Sequence, residues 1–263
     1  MGQEWPGLRI RLGAGNMTQT GGWQMEAGMK FGVELPGWTV PQRPTGIVLE
    51  GDVVRLERMT VDAHAADLFR AYSGHDALWD YLPYGPFSAA SAYHRWAKDT
   101  AMGEDPLFYV IRQKEGGHCG GVASYLRIAP DAGSIEVGHI NLSPELNRSR
   151  ASTEAMFLMM EWAFGAGYRR YEWKCNALNL ASRRAAQRLG FSFEGVFRQA
   201  AIVKGRNRDT AWFSIIDSEW PALREAYAAW LSPRNFDAQG QQRESLSDLT
   251  RLVRPGSDPA LGQ

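Results

Sequence analysis

From Gly46 onward, short apolar runs alternate with polar turns, and their spacing predicts most of the elements. Ile47, Val48 and Leu49, followed after Gly51-Asp52 by Val53, Val54 and Leu56, predict a hairpin-like pair or one bent strand. Residues 61–72 place Ala63, Leu68 and Phe69 on one side of a helix, and residues 88–101 carry Ala89, Tyr93, Trp96 and Ala97 at helical spacing. The intervening Leu78–Phe87 is too rich in proline and aromatics for helix and reads as a loop. Three strands are expected at 107–112, 119–128 and 134–142, separated by Lys114-Glu115-Gly116-Gly117 and Pro130-Asp131-Ala132-Gly133, both good turn compositions. The strongest helix follows, with Ala155, Leu158, Met159, Trp162, Ala163 and Ala166 at three- and four-residue steps and Gly167 as its stop. A short strand at 171–175 leads to a second helix, capped by Asn179, with Ala181, Ala185, Ala186 and Leu189 on its apolar side and Gly190 at its end. Strands at 193–203 and 210–216 flank a turn at Gly205-Arg206-Asn207, and a last helix runs from about Ser218, with Pro221 in its first turn, to Leu231.

Outside this pattern the chain changes character. Gly13, Gly15, Gly21, Gly22 and Gly28 break every early apolar stretch, so residues 1–45 read as an extension, and Met29 is an alternative start for the translated protein. Residues 46–232 form the expected domain. Residues 233–263 read as a polar, mobile tail with at most a short helix around 246–253.

The 263 residues suffice for one good-sized domain with appendages. Lys plus Arg and Asp plus Glu number 29 each, which leaves no global field to steer the protein onto nucleic acid or an acidic membrane. The chain has neither an apolar run of the roughly 18 residues that a span needs nor a secretory N-terminal pattern. Cys119 and Cys175 are the only cysteines, too few for a disulfide scaffold or a cysteine-built zinc site. A cytoplasmic monomer or homodimer, with no metal, nucleic acid or membrane partner, is the expectation.

Two strand-to-helix junctions carry candidate chemistry. The first, Pro144 to Ala155, opens the long helix, whose free N–H groups and partial positive charge make an anion site; Arg148 and Arg150 add mobile charge. A well-capped, solvated helix start explains the same residues. The second, Asn179-Leu180-Ala181-Ser182 leading to Leu189-Gly190-Phe191, sets a polar cap and a hydroxyl at the start of a short helix, and a capped helix packed on a sheet is its plainer explanation.

Together with Ile135-Glu136-Val137-Gly138 and Tyr168 to Trp173, these junctions resemble the GNAT acetyltransferase superfamily, and within it the RimJ/RimL-like branch, over residues 46–231. The resemblance implies an α/β fold, with a mixed, mostly antiparallel twisted sheet flanked by helices. Two central strands splay apart in that fold to admit acetyl-CoA, and an amine acceptor attacks the thioester directly. The family's phosphate loop, Gln or Arg, two residues, Gly, one residue, Gly or Ala, falls on Asn147, Arg150 and Ser152 and is departed from at all three. The missing glycine puts an arginine where close approach and positive φ are expected. The implied cofactor-binding residues are Ile140, Asn141 and Leu142 on the splayed strand, then Asn147, Arg148, Ser149, Arg150, Ala151, Ser152 and Thr153, and Asn179, Ser182 and Arg183 on the second helix, with Arg183 and Arg184 near the adenosine 3′-phosphate. The tyrosine acid of many members is replaced by Ala186, which suits the RimJ/RimL-like branch, and Ser182 is its possible substitute.

For the base, Glu136 leads, followed by Glu172 on the neighbouring strand and His139. Each has a bland alternative: a surface arginine for Glu136, Arg170 or Lys174 across strands for Glu172, and a satisfied sheet histidine for His139. Gly138 would ease a local bulge. Trp79, Asp80, Tyr81 and Tyr84 form the expected acceptor wall, with Asp80 drawing a cationic amine. Neither cysteine is needed as a nucleophile. The competing reading is a catalytically silent domain that senses CoA or an amine.

Overall fold

The computed structural model describes residues 31–262. By its contacts the chain divides into Met1–Glu34 and Leu35–Gln263, and every described element lies in the second unit. Most of the glycine-rich extension and the Met29 start lie outside the described residues.

One eight-stranded sheet organises the unit. Its strands are β1 (Leu49–Glu50), β2 (Val54–Arg58), β3 (Leu107–Gln113), β4 (Cys119–Ala129), β5 (Ser134–Leu142), β6 (Arg170–Asn176), β7 (Ser192–Val203) and β8 (Arg206–Ile216), in spatial order β1-β2-β3-β4-β5-β6-β8-β7. Every neighbouring pair is antiparallel except β5–β6. Among the described residues the six α-helices are α1 (Val61–Tyr72), α2 (Ala90–Thr100), α3 (Arg150–Gly165), α4 (Leu180–Arg188), α5 (Trp220–Leu231) and α6 (Leu246–Arg251). None of the described helices is long and apolar enough to cross a membrane.

Alternation along the strands sorts the side chains onto two faces. Tyr109, Tyr125, Ile135, Val137, Tyr171, Trp173, Phe213 and Ile215 point to one, where they bury against α3, α4 and α5. Phe108, Val110 and Val122 point to the other, under α1 and α2. Those two helices reach only the β2–β4 half. Over β5, β6 and β8 the second face carries Glu136, Arg170, Glu172, Lys174, Arg208 and Trp212 instead of an apolar layer.

Local chemistry accounts for the element ends. The Ser149 hydroxyl accepts from the Ser152 N–H to cap α3, and Gly167 terminates it at φ 96°, as its position predicts. Glu154, buried in α3's first turns, accepts from the N–H groups of Asp52, Val53 and Val54 at 2.8–2.9 Å and so pins the β1–β2 turn to the helix. Gly51 is required there by space: a Cβ would lie 2.5 Å from the Glu154 carboxylate.

Three expectations are corrected. The turn joining β7 and β8 is the two-residue Lys204-Gly205, both at positive φ, which matches hairpin twist, so Arg206 and Asn207 already belong to β8. The boundary at residue 45 cuts through packed chain, because Pro41 and Pro44 are buried and the Gln42 carbonyl accepts from Tyr168. The C-terminal residues pack rather than trail: Leu246 is fully buried, and Asp258, also buried, pairs with Arg183 at 2.6 Å.

Candidate active site

β5 and β6 pair only from Ser134–Val137 to Arg170–Trp173. Beyond that, β5 runs on to Leu142 and β6 to Asn176 with no ladder between them, so the strands part as expected. The cause lies in β5. Its register with β4 slips between Val122↔Asn141 and Ser124↔Gly138, a bulge in which His139 takes φ 50°. The expected role of Gly138 is therefore corrected: His139 bears the left-handed backbone, and Gly138 makes room for Leu126, whose Cδ2 would lie 2.9 Å from an added Cβ. Ile140 and Leu142 are half-buried on the free stretch; Asn141 is buried, its carbonyl accepts from Tyr72, and its Nδ2 has no partner.

At the start of α3, Asn147 is exposed and its N–H is used by the Ser143 carbonyl. Arg148, exposed, adopts φ 57°, so the positive φ expected at Arg150 falls two residues earlier. Arg150 opens the helix, and its guanidinium turns away to donate to the Leu231 carbonyl at the end of α5, 2.6 Å away, over the Phe236 ring. Its side chain thus braces the C-terminal region rather than pointing to a phosphate. Among the described residues no acceptor meets the N–H of Arg150 or Ala151, the pair that a helix start leaves free. Ser152 and Thr153 are buried, and both hydroxyls donate to the Ser149 carbonyl.

Across the opening, Asn179 caps α4 by accepting from the Ser182 N–H. Ser182 Oγ accepts from Trp173 Nε1 at 3.0 Å, and its hydroxyl hydrogen-bonds to the buried Cys175 thiol. Arg183 is the second corrected arginine: both Nε and Nη2 donate to Asp258 and Nη1 to the Ala177 carbonyl, so it is a buried brace for the C-terminal chain and not a free phosphate ligand.

The second face of the sheet holds the acid–base groups. Glu136, 3% exposed, receives Arg127 Nη1 at 2.8 Å on both oxygens and Lys174 Nζ at 2.9 Å. Burial pushes its pKa up against the pull of both cations. Glu172 receives Arg170 at 2.6 Å and Lys174 at 2.8 Å; burial raises it too, but those hydrogen bonds prevail and hold it low. Both pairings run along one strand, two residues apart, rather than across strands. Lys174 Nζ sits between the two carboxylates and 3.8 Å above the Trp212 ring.

The aromatic loop roofs this opening. Tyr84 Oη and His139 Nδ1 share a 2.8 Å hydrogen bond with their rings stacked, Tyr81 donates to the Leu178 carbonyl just past β6, and the Trp79 carbonyl accepts from Lys204 of the β7–β8 turn. Burial, with the positive charges of Arg127 and Arg208, pushes His139 down to about 4, so its ring is neutral at pH 7. Trp79 itself is 4% exposed and packs edge-on against Tyr72 and Phe87, which makes it the loop's anchor rather than a wall. Asp80 is exposed.

Glu136, Glu172, Ser182, Tyr81, Tyr84 and the Ile140–Leu142 backbone therefore surround one opening, and the side chains of Arg150 and Arg183 leave it. Sequence reasoning named Lys174 only as a pairing partner of Glu172 and missed Trp212, Arg127 and Arg208. Lys174, Trp212 and Arg208 have the right strand parity to share the Glu136 face, the one signal available beforehand.

A twisted mixed sheet with one parallel pair that parts beside two helix N-termini defines the acetyltransferase class of fold. The family model of the acetyltransferase (GNAT) domain matches residues 54–192, and the chain belongs to that family. It is similar to a GCN5-related N-acetyltransferase from Brucella melitensis, at 44% identity over 82% of this chain and 100% of the other, with a TM-score of 0.81. A protein from Chromobacterium violaceum described as a probable acetyltransferase of the GNAT family is 42% identical over 73% of this chain and 97% of its own, with a TM-score of 0.70. RimL, a ribosomal L7/L12 alpha-N-protein acetyltransferase, is 18% identical over 65% of this chain and 94% of its own, with a TM-score of 0.53, a likeness of fold alone. No curated protein matches the chain. The protein is an acetyltransferase of a family that uses acetyl-CoA as co-substrate.

Proposed function

We propose that the protein transfers an acetyl group from acetyl-CoA to the nitrogen of a primary amine by direct attack in the opening between β5 and β6. The observation that carries this reading is the parting of the two strands above Val137 and Trp173, with a carboxylate of raised pKa on one side and the Ser182 hydroxyl on the other. Bound acetyl-CoA supplies the acyl group as a thioester. The residues suit it: the free N–H groups of Arg150 and Ala151 face anions at the helix start, and the unpaired edge of β5 at Ile140–Leu142 offers backbone donors to a carbonyl oxygen.

Glu136 accepts the proton that the amine must lose, a step its raised pKa favours. The β5 amides stabilise the oxygen as it gains charge. Ser182 donates to the departing sulfur, with Trp173 fixing its orientation. His139 and Tyr84 close the opening to water, and a neutral His139 adds no charge to repel an incoming ammonium. Holding two reactants together is worth roughly 7–11 kcal/mol, so the absence of a tyrosine acid at Ala186 leaves turnover intact.

Calorimetric titration with acetyl-CoA, followed by a thiol-release assay over a panel of primary amines, tests the reading. Binding with thiol release and an acetylated amine by mass spectrometry is the expected result. Binding without release from any amine would make the domain a sensor, and no binding below about millimolar would end the assignment.

A further inference from the structure

The charges on the open face of the sheet do not balance. Glu136 is held by Arg127 and Lys174, Glu172 by Lys174 and Arg170, and Glu194 by Arg170, so each of these carboxylates has a cation of the sheet for a partner. Lys174 in particular fills the place between Glu136 and Glu172 where a second positive group of an acceptor would otherwise settle. One half-buried cation of that face is left over. Arg208 has no ion pair or hydrogen bond among the described residues, and its Nε is buried without a partner.

Its position is set by β8. Trp212 lies opposite Lys174 and Thr210 opposite Asn176, so with two-residue periodicity Arg208 points to the same face, just past the end of β6 where the two strands have parted. Its charge reaches Glu136, Arg127 and His139. A half-buried guanidinium without a counter-ion is costly to keep, and a planar carboxylate meets its fork of donors in two parallel hydrogen bonds.

Resting on the reading of this opening as the acetyl-transfer site, we propose that Arg208 binds a carboxylate of the acceptor, making the substrate an amine that carries an acidic group close to its nitrogen. Two sources share this chemistry: a free amino acid, through its α-carboxylate, and a peptide whose first residue is acidic.

The test is thiol release by the full chain at saturating acetyl-CoA, using acceptors matched except for the carboxylate: alanine against alaninamide, and an Asp-Ala-Ala-amide peptide against Asn-Ala-Ala-amide. The expected result is that the carboxylate member of at least one pair is preferred by about ten- to hundredfold in kcat/KM, through KM, and the responding pair identifies the source. Arg208→Met should erase that preference while leaving the amide member and acetyl-CoA affinity unchanged, and Arg208→Lys should restore part of it. The comparison in the unmodified protein needs no variant, so a misfolded Arg208→Met leaves the question answerable. Equal use of both members of both pairs overturns the carboxylate subsite alone. Failure to bind acetyl-CoA overturns the transfer site and this subsite together, which calorimetry separates from the first outcome.

Discussion

Replacing His139 tests the electrostatics of the opening most directly. Its ring is pushed from an ordinary 6.5 to about 4 by burial and by the charges of Arg127 and Arg208. Between those two values the unfolded chain binds a proton that the folded chain refuses, so stability falls as pH drops from about 6.5 towards 4 and is unaffected above. At 1.36 kcal/mol per unit, lowering the pH from 7.5 to 4.5 should cost on the order of 2–3 kcal/mol through this residue. Burial raises the carboxylates of Glu136 and Glu219 above 4.5, towards the same range, so the informative quantity is the difference between the protein and His139→Asn. Asparagine keeps the left-handed backbone of the bulge and removes the titration. Urea unfolding at pH 7.5 and 4.5 should show the variant losing about 2–3 kcal/mol less on acidification. An identical loss in both proteins would refute the claim that His139 is held neutral by its surroundings.

The remaining predictions concern the base and two structural braces. Glu136→Gln should lower kcat by roughly a hundred- to ten-thousandfold at unchanged acetyl-CoA affinity, and Glu172→Gln by much less; the reverse order in a thiol-release assay would move the base to Glu172. Because burial raises Glu136, the rate should climb with pH through a limb above the ordinary carboxylate value of 4.5. Arg183→Ala strands the buried Asp258 and should cost about 3–5 kcal/mol in chemical denaturation with acetyl-CoA affinity retained in the folded fraction, whereas a phosphate ligand would show the opposite pattern. Gly51→Ala forces the Glu154 carboxylate off three backbone donors and should cost about 2–4 kcal/mol; unchanged thermal stability would show that the turn yields freely.

Elements were legible where local pattern decides them. Apolar positions three and four apart delimit α3, Asn179 caps α4, and turn compositions separate β3, β4 and β5, all within a residue or two of the expected bounds. The splay was legible only through family resemblance, because its cause is a one-residue bulge at His139 whose φ no side-chain pattern announces. The arginines show why site residues are harder. Arg150 and Arg183 stand in the chain where phosphate contacts are expected, yet a guanidinium on a long flexible stem goes to whatever acceptor the fold brings near, and here these are a helix-terminal carbonyl and Asp258, 81 and 75 residues away. The tail that supplies Asp258 has a polar composition, which conceals the few buried anchors that dock it.

Three carboxylates on the open face meet the same kind of partner, and burial sets the innermost apart from the other two. Glu194, at 35% side-chain exposure, and Glu172, at 13%, are both held low by the cations that grip them. Glu136, at 3%, has two cationic partners as well, yet its pKa rises, because the cost of a charge without water outgrows the attraction of neighbours that must themselves stay charged. The residue best able to take a proton is therefore the innermost of the row, on the last strand segment before the opening, which is where the proposed function needs the proton of an attacking amine to leave. Were Lys174 removed, Glu136 would lose the partner that also holds Glu172, and its raised pKa would rise further. The lysine thus limits how far burial raises the pKa of Glu136.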